Sequence, residues 1–100
     1  MNSIRNIQNE SISPSEMRQL SPSATPPGLL AICKIPTFSH PVMNNNFIYL
    51  DHVSDPGNMG TILRTAQWFG ICNIAISEGC IDPFNPKVVR GAMGAHFYLS

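Results

Sequence analysis

The chain has 100 residues, of which 43% are hydrophobic and 12% charged, and its six basic and six acidic side chains leave no net charge. This length allows one small domain, with roughly 60–65% of the unfolded surface buried on folding. No apolar run approaches the about 20 residues that span a bilayer, and the first residues lack the apolar core of a secretory signal. Bulk charge gives no support for a nucleic-acid partner, so any such site has to be local.

The first half of the chain, residues 1–46, is rich in serine and proline and shows no helical periodicity. A short helix is predicted at Ser15–Leu20, with Ser13-Pro14 as its cap. Apolar residues fill Gly28–Ile35, a pattern that predicts a buried strand. The polar run from Pro36 to Asn46 indicates a linker or loop.

The second half, residues 47–100, alternates between strands and helices. The predicted elements are a strand at Phe47–Leu50, a helix at Asn58–Phe69, a strand at Asn73–Ser77, a short helix at Pro86–Arg90 and a last strand at His96–Leu99. The long helix is predicted from apolar residues spaced three or four apart and from Gly70 as its C-terminal cap. This order predicts an α/β fold built on a parallel sheet with right-handed crossovers.

Cysteine and histidine spacing argues against a metal site or a disulfide scaffold. The residues concerned are Cys33, Cys72, Cys80, His40, His52 and His96. The cysteines are odd in number and form no C-x-x-C pair, so we expect small buried side chains in a reducing compartment. The histidines lack the spacing of metal ligands, and we expect them to be structural.

The loop Asp51–Gly60 follows the first strand of the second half, where ligands of open α/β sheets bind. Asn58 offers amide donors and an acceptor, and Arg64 can bind phosphate or carboxylate with its planar fork. We interpret Asn58 and Arg64 as sharing one helix face beside this crevice. The alternative is a solvated arginine and an asparagine that only caps the helix. The chain has no G-x-G-x-x-G or Gly-Lys-Ser/Thr motif, which argues against dinucleotide and P-loop sites.

Two stretches carry a resemblance to a known family. Residues 50–66 read LDHVSDPGNMGTILRTA, and residues 82–97 read DPFNPKVVRGAMGAHF. They resemble, in order and spacing, the first and second motifs of the SpoU (TrmH-like) family of RNA ribose 2′-O-methyltransferases. Together they cover residues 47–99, about half of the chain.

The resemblance implies an α/β-knot of the SPOUT class that works as a homodimer on tRNA or rRNA. It implies S-adenosylmethionine as methyl donor and no metal. The family's first-motif asparagine and arginine fall on Asn58 and Arg64, which makes both candidate catalytic residues. Arg64 would contact the target nucleotide, Asn58 would hold the geometry of the loop, and Arg90 would help to position RNA.

The family's third motif and most of its cofactor loops would lie beyond Ser100. We therefore expect a fragment: a partial Rossmann-like α/β knot without its C-terminal part, preceded in residues 1–46 by a linker or the remnant of an RNA-binding domain. The methyltransferase activity would then belong to the full-length parent, in the cytoplasm or an organelle. The alternatives are a non-catalytic RNA-binding or dimerisation module and an unrelated small α/β nucleotide-binding domain.

Overall fold

The computed structural model of the protein describes residues 7–38 and 45–100. The chain divides into two compact units, Met1–Cys33 and Lys34–Ser100. The predicted structural role of His40 lies outside the described residues. No helix within the described residues has the length and apolar character needed to cross a membrane.

The described residues of the first unit contain one helix, α1, at Pro14–Leu20. The Ser13 hydroxyl accepts from the Glu16 N–H at 3.2 Å, and the Ser13 N–H donates to the Glu16 carboxylate at 2.7 Å. This reciprocal pair is a capping box, and it provides acceptors for two backbone N–H groups at the start of the helix. The predicted short helix and its serine cap are confirmed.

The strand predicted at Gly28–Ile35 is wrong. These residues have no regular secondary structure, and Leu29 and Ile32 are 82% and 87% exposed. An isolated apolar run cannot become a strand unless a neighbouring strand pairs with its backbone N–H and C=O groups. The described residues offer this segment no such neighbour.

The sheet of the second unit has two parallel strands, β1 at Phe47–Leu50 and β2 at Asn73–Ile76. Side chains alternate along β1, so that Ile48 and Leu50 pack on the core while Phe47 and Tyr49 are exposed. Both predicted strands are confirmed, although β2 ends one residue earlier than expected. The sheet is smaller than the multi-stranded one predicted.

The long helix, α2, spans Pro56–Trp68 and covers one face of this sheet. The Asp55 carboxylate caps it by accepting from the Asn58 N–H at 2.8 Å. Its C-terminus is closed by Gly70 at φ 73°, with the Gly70 N–H on the Gln67 carbonyl and the Ile71 N–H on the Ala66 carbonyl. This bond pattern is a Schellman motif. The predicted helix is confirmed, but it begins two residues earlier because Asp55, and not a later residue, is the cap.

A short helix, α3 at Pro86–Gly91, packs against α2 at very close range. A Cβ placed on Gly60 would lie 2.9 Å from the Gly91 carbonyl carbon, so the two helix backbones meet without an intervening side chain. Beside this contact Met59, Val88 and Ala92 have no exposed surface and form the centre of the core. The second unit is thus held together mainly between α2 and α3.

The last predicted strand, His96–Leu99, is also wrong. Gly94 adopts φ 86° and begins a 3₁₀ helix at Ala95–Phe97. The chain becomes extended beside β2 only at Ser100. There the Ser100 N–H donates to the Cys72 carbonyl at 2.7 Å, and the Ser100 carbonyl accepts from the Ile74 N–H at 2.9 Å. This is the hydrogen-bond pattern of one parallel bridge.

The prediction that all three cysteines are small buried residues is wrong for two of them. Cys33 and Cys72 are exposed, and Cys80 is half-buried; all three are free thiols. Cys33 lies in the irregular segment described above, and Cys72 precedes β2 at the open end of the two-stranded sheet. Neither position has a packed layer above it, which explains the exposure.

The glycine contact predicts opposite effects for two alanine substitutions. Gly60→Ala should destabilise the chain by about 1–2 kcal/mol, because overpacking against backbone atoms outweighs the gain in helix propensity. Gly91→Ala should be neutral or stabilise by up to about 1 kcal/mol, because its Cβ would meet the Gly60 Cα at 3.6 Å, an ordinary contact. Urea denaturation measures both, and equal effects of the two substitutions would contradict the packing described here.

The capping box predicts a pH dependence for α1. The Ser13 N–H, followed by the Ser13 hydroxyl, lowers the pKa of Glu16 below its ordinary value by hydrogen bonding to the carboxylate. The ionised form therefore stabilises α1 above the ordinary glutamate pKa, and this contribution is lost as pH falls through the lowered pKa. Carboxyl NMR titration should show the lowered pKa of Glu16 in the natural chain.

Two substitutions at Ser13 separate the causes of that shift. Ser13→Ala removes the hydroxyl and should leave most of the shift, because the N–H remains. Ser13→Pro fits the local φ of −72° but removes the N–H as well, and should restore the ordinary value. An ordinary Glu16 titration in the unsubstituted chain would contradict the capping box.

Candidate functional site

The loop that follows β1 is fixed to the turn that follows β2. The Ser77 hydroxyl accepts from the His52 N–H at 2.9 Å, and the Val53 carbonyl accepts from the Ile81 N–H at 2.9 Å. The Cys80 thiol donates to the Leu50 carbonyl at 3.3 Å. The carboxyl ends of the two parallel strands are therefore joined by bonds between residues at least 25 positions apart in the chain.

His52 has an unusual backbone conformation within this loop. Its φ of 54° lies in the left-handed region, and its ring lies so close to Gly79 that a Cβ there would collide with it. Nδ1 of His52 is 2.6 Å from a carboxylate oxygen of Asp51, and both side chains are mostly exposed. Gly79 thus leaves room for the imidazole ring in this position, and a structural role for His52 stays a prediction.

An open groove of about 440 Å³ lies between this loop and the first turns of α2. His52, Asp55, Asn58 and Thr61 are among the residues that line it. The backbone N–H groups at a helix N-terminus usually favour an anion. Here the Asp55 carboxylate already occupies that position, so the groove does not favour a phosphate.

The structure places Asn58 in the groove but does not bring Arg64 to it. Arg64 is exposed on α2 and is absent from the groove lining, whereas Asn58, Thr61 and Ile62 belong to it. Each residue of an α-helix turns by about 100°, so side chains six residues apart point in directions that differ by about 120°. Asn58 and Arg64 are separated by six residues. The interpretation that Asn58 and Arg64 share one face is therefore wrong.

Helical spacing places Arg64 nearer to the contact between α2 and α3 than to the groove. It is four residues after Gly60, on the same side of α2 as that glycine. Arg90 directly precedes Gly91 on α3, and its side chain is also exposed. The two candidate RNA-binding arginines thus extend from two helices that touch at their glycines.

Three aspartates of the second unit each have a contact within their own loop or turn. Asp55 caps α2, Asp51 contacts His52, and Asp82 accepts from the Phe84 N–H at 2.9 Å. Within residues 7–38 and 45–100, the only carboxylate that contacts the nitrogen of a basic side chain is Asp51, which contacts His52. The exposed arginines of α2 and α3 consequently have no carboxylate partner in the described part of the chain. They can bind an external anion without first breaking an ion pair.

Comparison with known proteins assigns the family. The sequence profile described as the SpoU rRNA Methylase family matches residues 45–100. The chain belongs to the SpoU rRNA methylase family. The matched residues contain both strands, α2 and α3, together with the groove and the two arginines.

Curated relatives of this SpoU family chain are longer than it is. It is 40% identical over 92 residues to rRNA methyltransferase 3A, mitochondrial, of Danio rerio, which covers 84% of this chain and 21% of the relative. It is 32% identical over 93 residues to the 23S rRNA (guanosine(2553)-2′-O)-methyltransferase RlmP of Bacillus subtilis. This match covers 93% of this chain and 37% of the relative. The chain therefore spans about a fifth to two fifths of these relatives.

Solved structures agree with the fold. An RNA methyltransferase of the TrmH family from Porphyromonas gingivalis matches with a TM-score of 0.80 and 36% identity, covering 99% of this chain and 42% of that one. An AdoMet-bound rRNA methyltransferase from Sinorhizobium meliloti matches with a TM-score of 0.54 and 41% identity, covering 61% and 23%. The predicted α/β class is confirmed, with a small parallel sheet of two strands.

Sequence reasoning missed Ser77 and Cys80, which hold the groove-lining loop, and Lys87, an exposed cation on α3. Ser77 could have been found, because it follows β2 at the same edge of the sheet as the loop after β1. Lys87 could have been found because it lies four residues before Gly91, and residues four apart occupy the same side of a helix. Among the described residues no three side chains are arranged to hold a metal ion.

The cap of α2 gives a testable result for the groove. Asp55→Ala should destabilise the chain by about 1 kcal/mol, because the Asn58 N–H loses its acceptor, and Asp55→Ser should recover most of this loss. Asp51→Ala is the matched control and should change stability by less than about 0.5 kcal/mol, because its contact with His52 is exposed. Urea denaturation checks all three, and a loss from Asp51→Ala as large as from Asp55→Ala would contradict the assignment of the cap.

Proposed function

We propose that a protein containing this chain methylates a ribose 2′-hydroxyl of rRNA, with S-adenosylmethionine as methyl donor. The family supports methylation of rRNA, and the name of the Bacillus relative specifies the 2′-oxygen of a guanosine. The AdoMet-bound relative from Sinorhizobium supports the donor. Within this chain, the observation that carries the proposal is Arg64: an exposed guanidinium in the family segment, without a carboxylate partner among the described residues.

Arg64 acts on the RNA as a fixed positive charge. A guanidinium stays protonated in proteins, so it is a poor base but a strong hydrogen-bond donor. Two of its N–H groups can bind a phosphate of the target nucleotide, which positions the ribose. The same charge stabilises negative charge that develops on the 2′-oxygen as it loses its proton.

The described residues do not themselves form a site for S-adenosylmethionine. The groove beside Asn58 is open, and its lining comes from one loop and the first turns of one helix. Small-molecule sites usually bury most of the ligand surface. The donor supplies an electrophilic methyl group when bound, and the roles proposed for this chain concern the RNA alone.

Asn58 has a positioning role in this proposal. Its backbone N–H donates to the Asp55 carboxylate, and the residue lines the groove beside the loop. It therefore keeps the loop and the start of α2 in register. Arg90 assists by binding RNA from α3.

Assembly and compartment follow the family resemblance. We propose a homodimer, because Phe47 and Tyr49 leave the uncovered face of β1 apolar and exposed. We propose the cytoplasm of a bacterium or an rRNA-containing organelle as the location, given the bacterial and mitochondrial relatives. We also propose that the chain forms the N-terminal part of an α/β knot.

Substitution of Arg64 in the full-length protein tests the function. Arg64→Ala should lower the rate of methyl transfer to rRNA about 10²–10³-fold, the usual cost of removing one preorganised donor at a developing oxyanion. Arg64→Lys should lose less than Arg64→Ala, because it keeps the charge but not the planar fork. Transfer of a tritiated methyl group measures the rate, and calorimetry should find the affinity for S-adenosylmethionine unchanged.

Arg18→Ala is the matched control for that experiment. Arg18 is an exposed arginine of α1, in the other compact unit, and it should change the transfer rate less than about twofold. Methyl transfer by Arg64→Ala at the unsubstituted rate would show that the role given to Arg64 is wrong. Absence of 2′-O-methyl product from the unsubstituted full-length protein would contradict the proposed activity.

A further inference from the structure

We infer that Lys87 belongs, with Arg64 and Arg90, to one cationic strip along the α2–α3 contact that binds the phosphate backbone of RNA. The inference rests on the proposed function for the identity of the ligand. The observations behind it are the exposure of Lys87, its place on α3 and the backbone contact of α3 with α2.

The first step is the position of Lys87 relative to the close helix contact. Lys87 lies four residues before Gly91, and Arg64 lies four residues after Gly60. Residues four apart occupy the same side of a helix. Since the two glycine backbones touch, Lys87 and Arg64 both extend beside the same contact. Arg90 adjoins Gly91 but lies about 100° round the helix, farther from the contact than Lys87.

The second step concerns what each cation does for its own helix. Arg90 lies in the last turn of α3, where a positive charge interacts favourably with the helix dipole. Lys87 lies in the first turn, where a positive charge is disfavoured. Helix stability therefore explains Arg90 but not Lys87. A ligand for Lys87 accounts for a cation at that position.

The third step is that the strip has no competing carboxylate. No ion pair formed within residues 7–38 and 45–100 includes Lys87, Arg64 or Arg90. The carboxylates of Asp51, Asp55 and Asp82 are held by contacts in the loops. The three cations are thus free of ion pairs within the described residues, and phosphates can replace the counterions bound to them.

Phosphate binding by this strip is measured by its salt dependence. For single-stranded nucleic acid, the slope of log K against log salt concentration is about −0.7 for each phosphate neutralised. Three cations therefore predict a slope of about −2 for the unsubstituted chain with a uridine homopolymer, measured by fluorescence anisotropy. Lys87→Gln should reduce the slope by about 0.7, and Lys87→Arg should leave it unchanged.

Lys34→Gln is the matched control. Lys34 is an exposed cation of the same compact unit that lies outside α2 and α3, and its removal should leave the slope unchanged. An unchanged slope in Lys87→Gln, with the fold verified by circular dichroism, overturns the strip. So does an equal reduction in Lys34→Gln. Polyglutamate of matched charge that binds the chain as tightly as the RNA overturns RNA as the ligand.

The methyl-transfer assay distinguishes this inference from the proposed function. With the full-length protein at low salt and saturating RNA, Lys87→Gln should keep its maximal rate and raise KM, because Lys87 contacts the backbone and not the reacting ribose. A loss of maximal rate with an unchanged KM overturns the strip. If no methyl is transferred but the homopolymer slopes change as expected, the strip is supported and the proposed activity fails.

Discussion

The close approach of Gly60 and Gly91 is the constraint on which the rest of the second unit depends. A sheet of only two strands cannot enclose a core, so the apolar centre has to form between helices. The glycines allow α2 and α3 to touch at their backbones, and Met59, Val88 and Ala92 are then completely buried beside them. The same contact determines which side chains of the two helices remain outside.

Local signals in the sequence were sufficient for the elements that depend on local bonds. Ser13 and Asp55 cap their helices through residues three positions away, and Gly70 ends α2 through bonds to residues of its last turn. Gly28–Ile35 and His96–Leu99 are as apolar as the true strands, yet neither forms one. A strand requires partner backbone from elsewhere in the chain, and composition alone does not reveal whether that partner exists.

The candidate site was predicted in its residues and not in its arrangement. The family motif identified Asn58 and Arg64, but the interpretation of a shared face ignored the rotation that six helical residues impose. The bonds from Ser77 and Cys80 to the loop after β1 join residues 25 to 30 positions apart, and no spacing rule reveals them. The groove and Arg64 thus belong to different sides of one helix, which a motif cannot separate.

The proposed cationic strip would let a chain without net charge bind a polyanion through a local surface. Asp55 accepts from a helix terminus and Asp82 accepts from a turn, and neither forms an ion pair with a cation of α2 or α3. The cations lie on α2 and α3, which come from the first and second motifs. Because Gly60 has no side chain, the two motifs, distant in sequence, meet at a backbone contact. The glycine of the first motif is therefore as necessary to the proposed RNA-binding surface as the arginine that follows it.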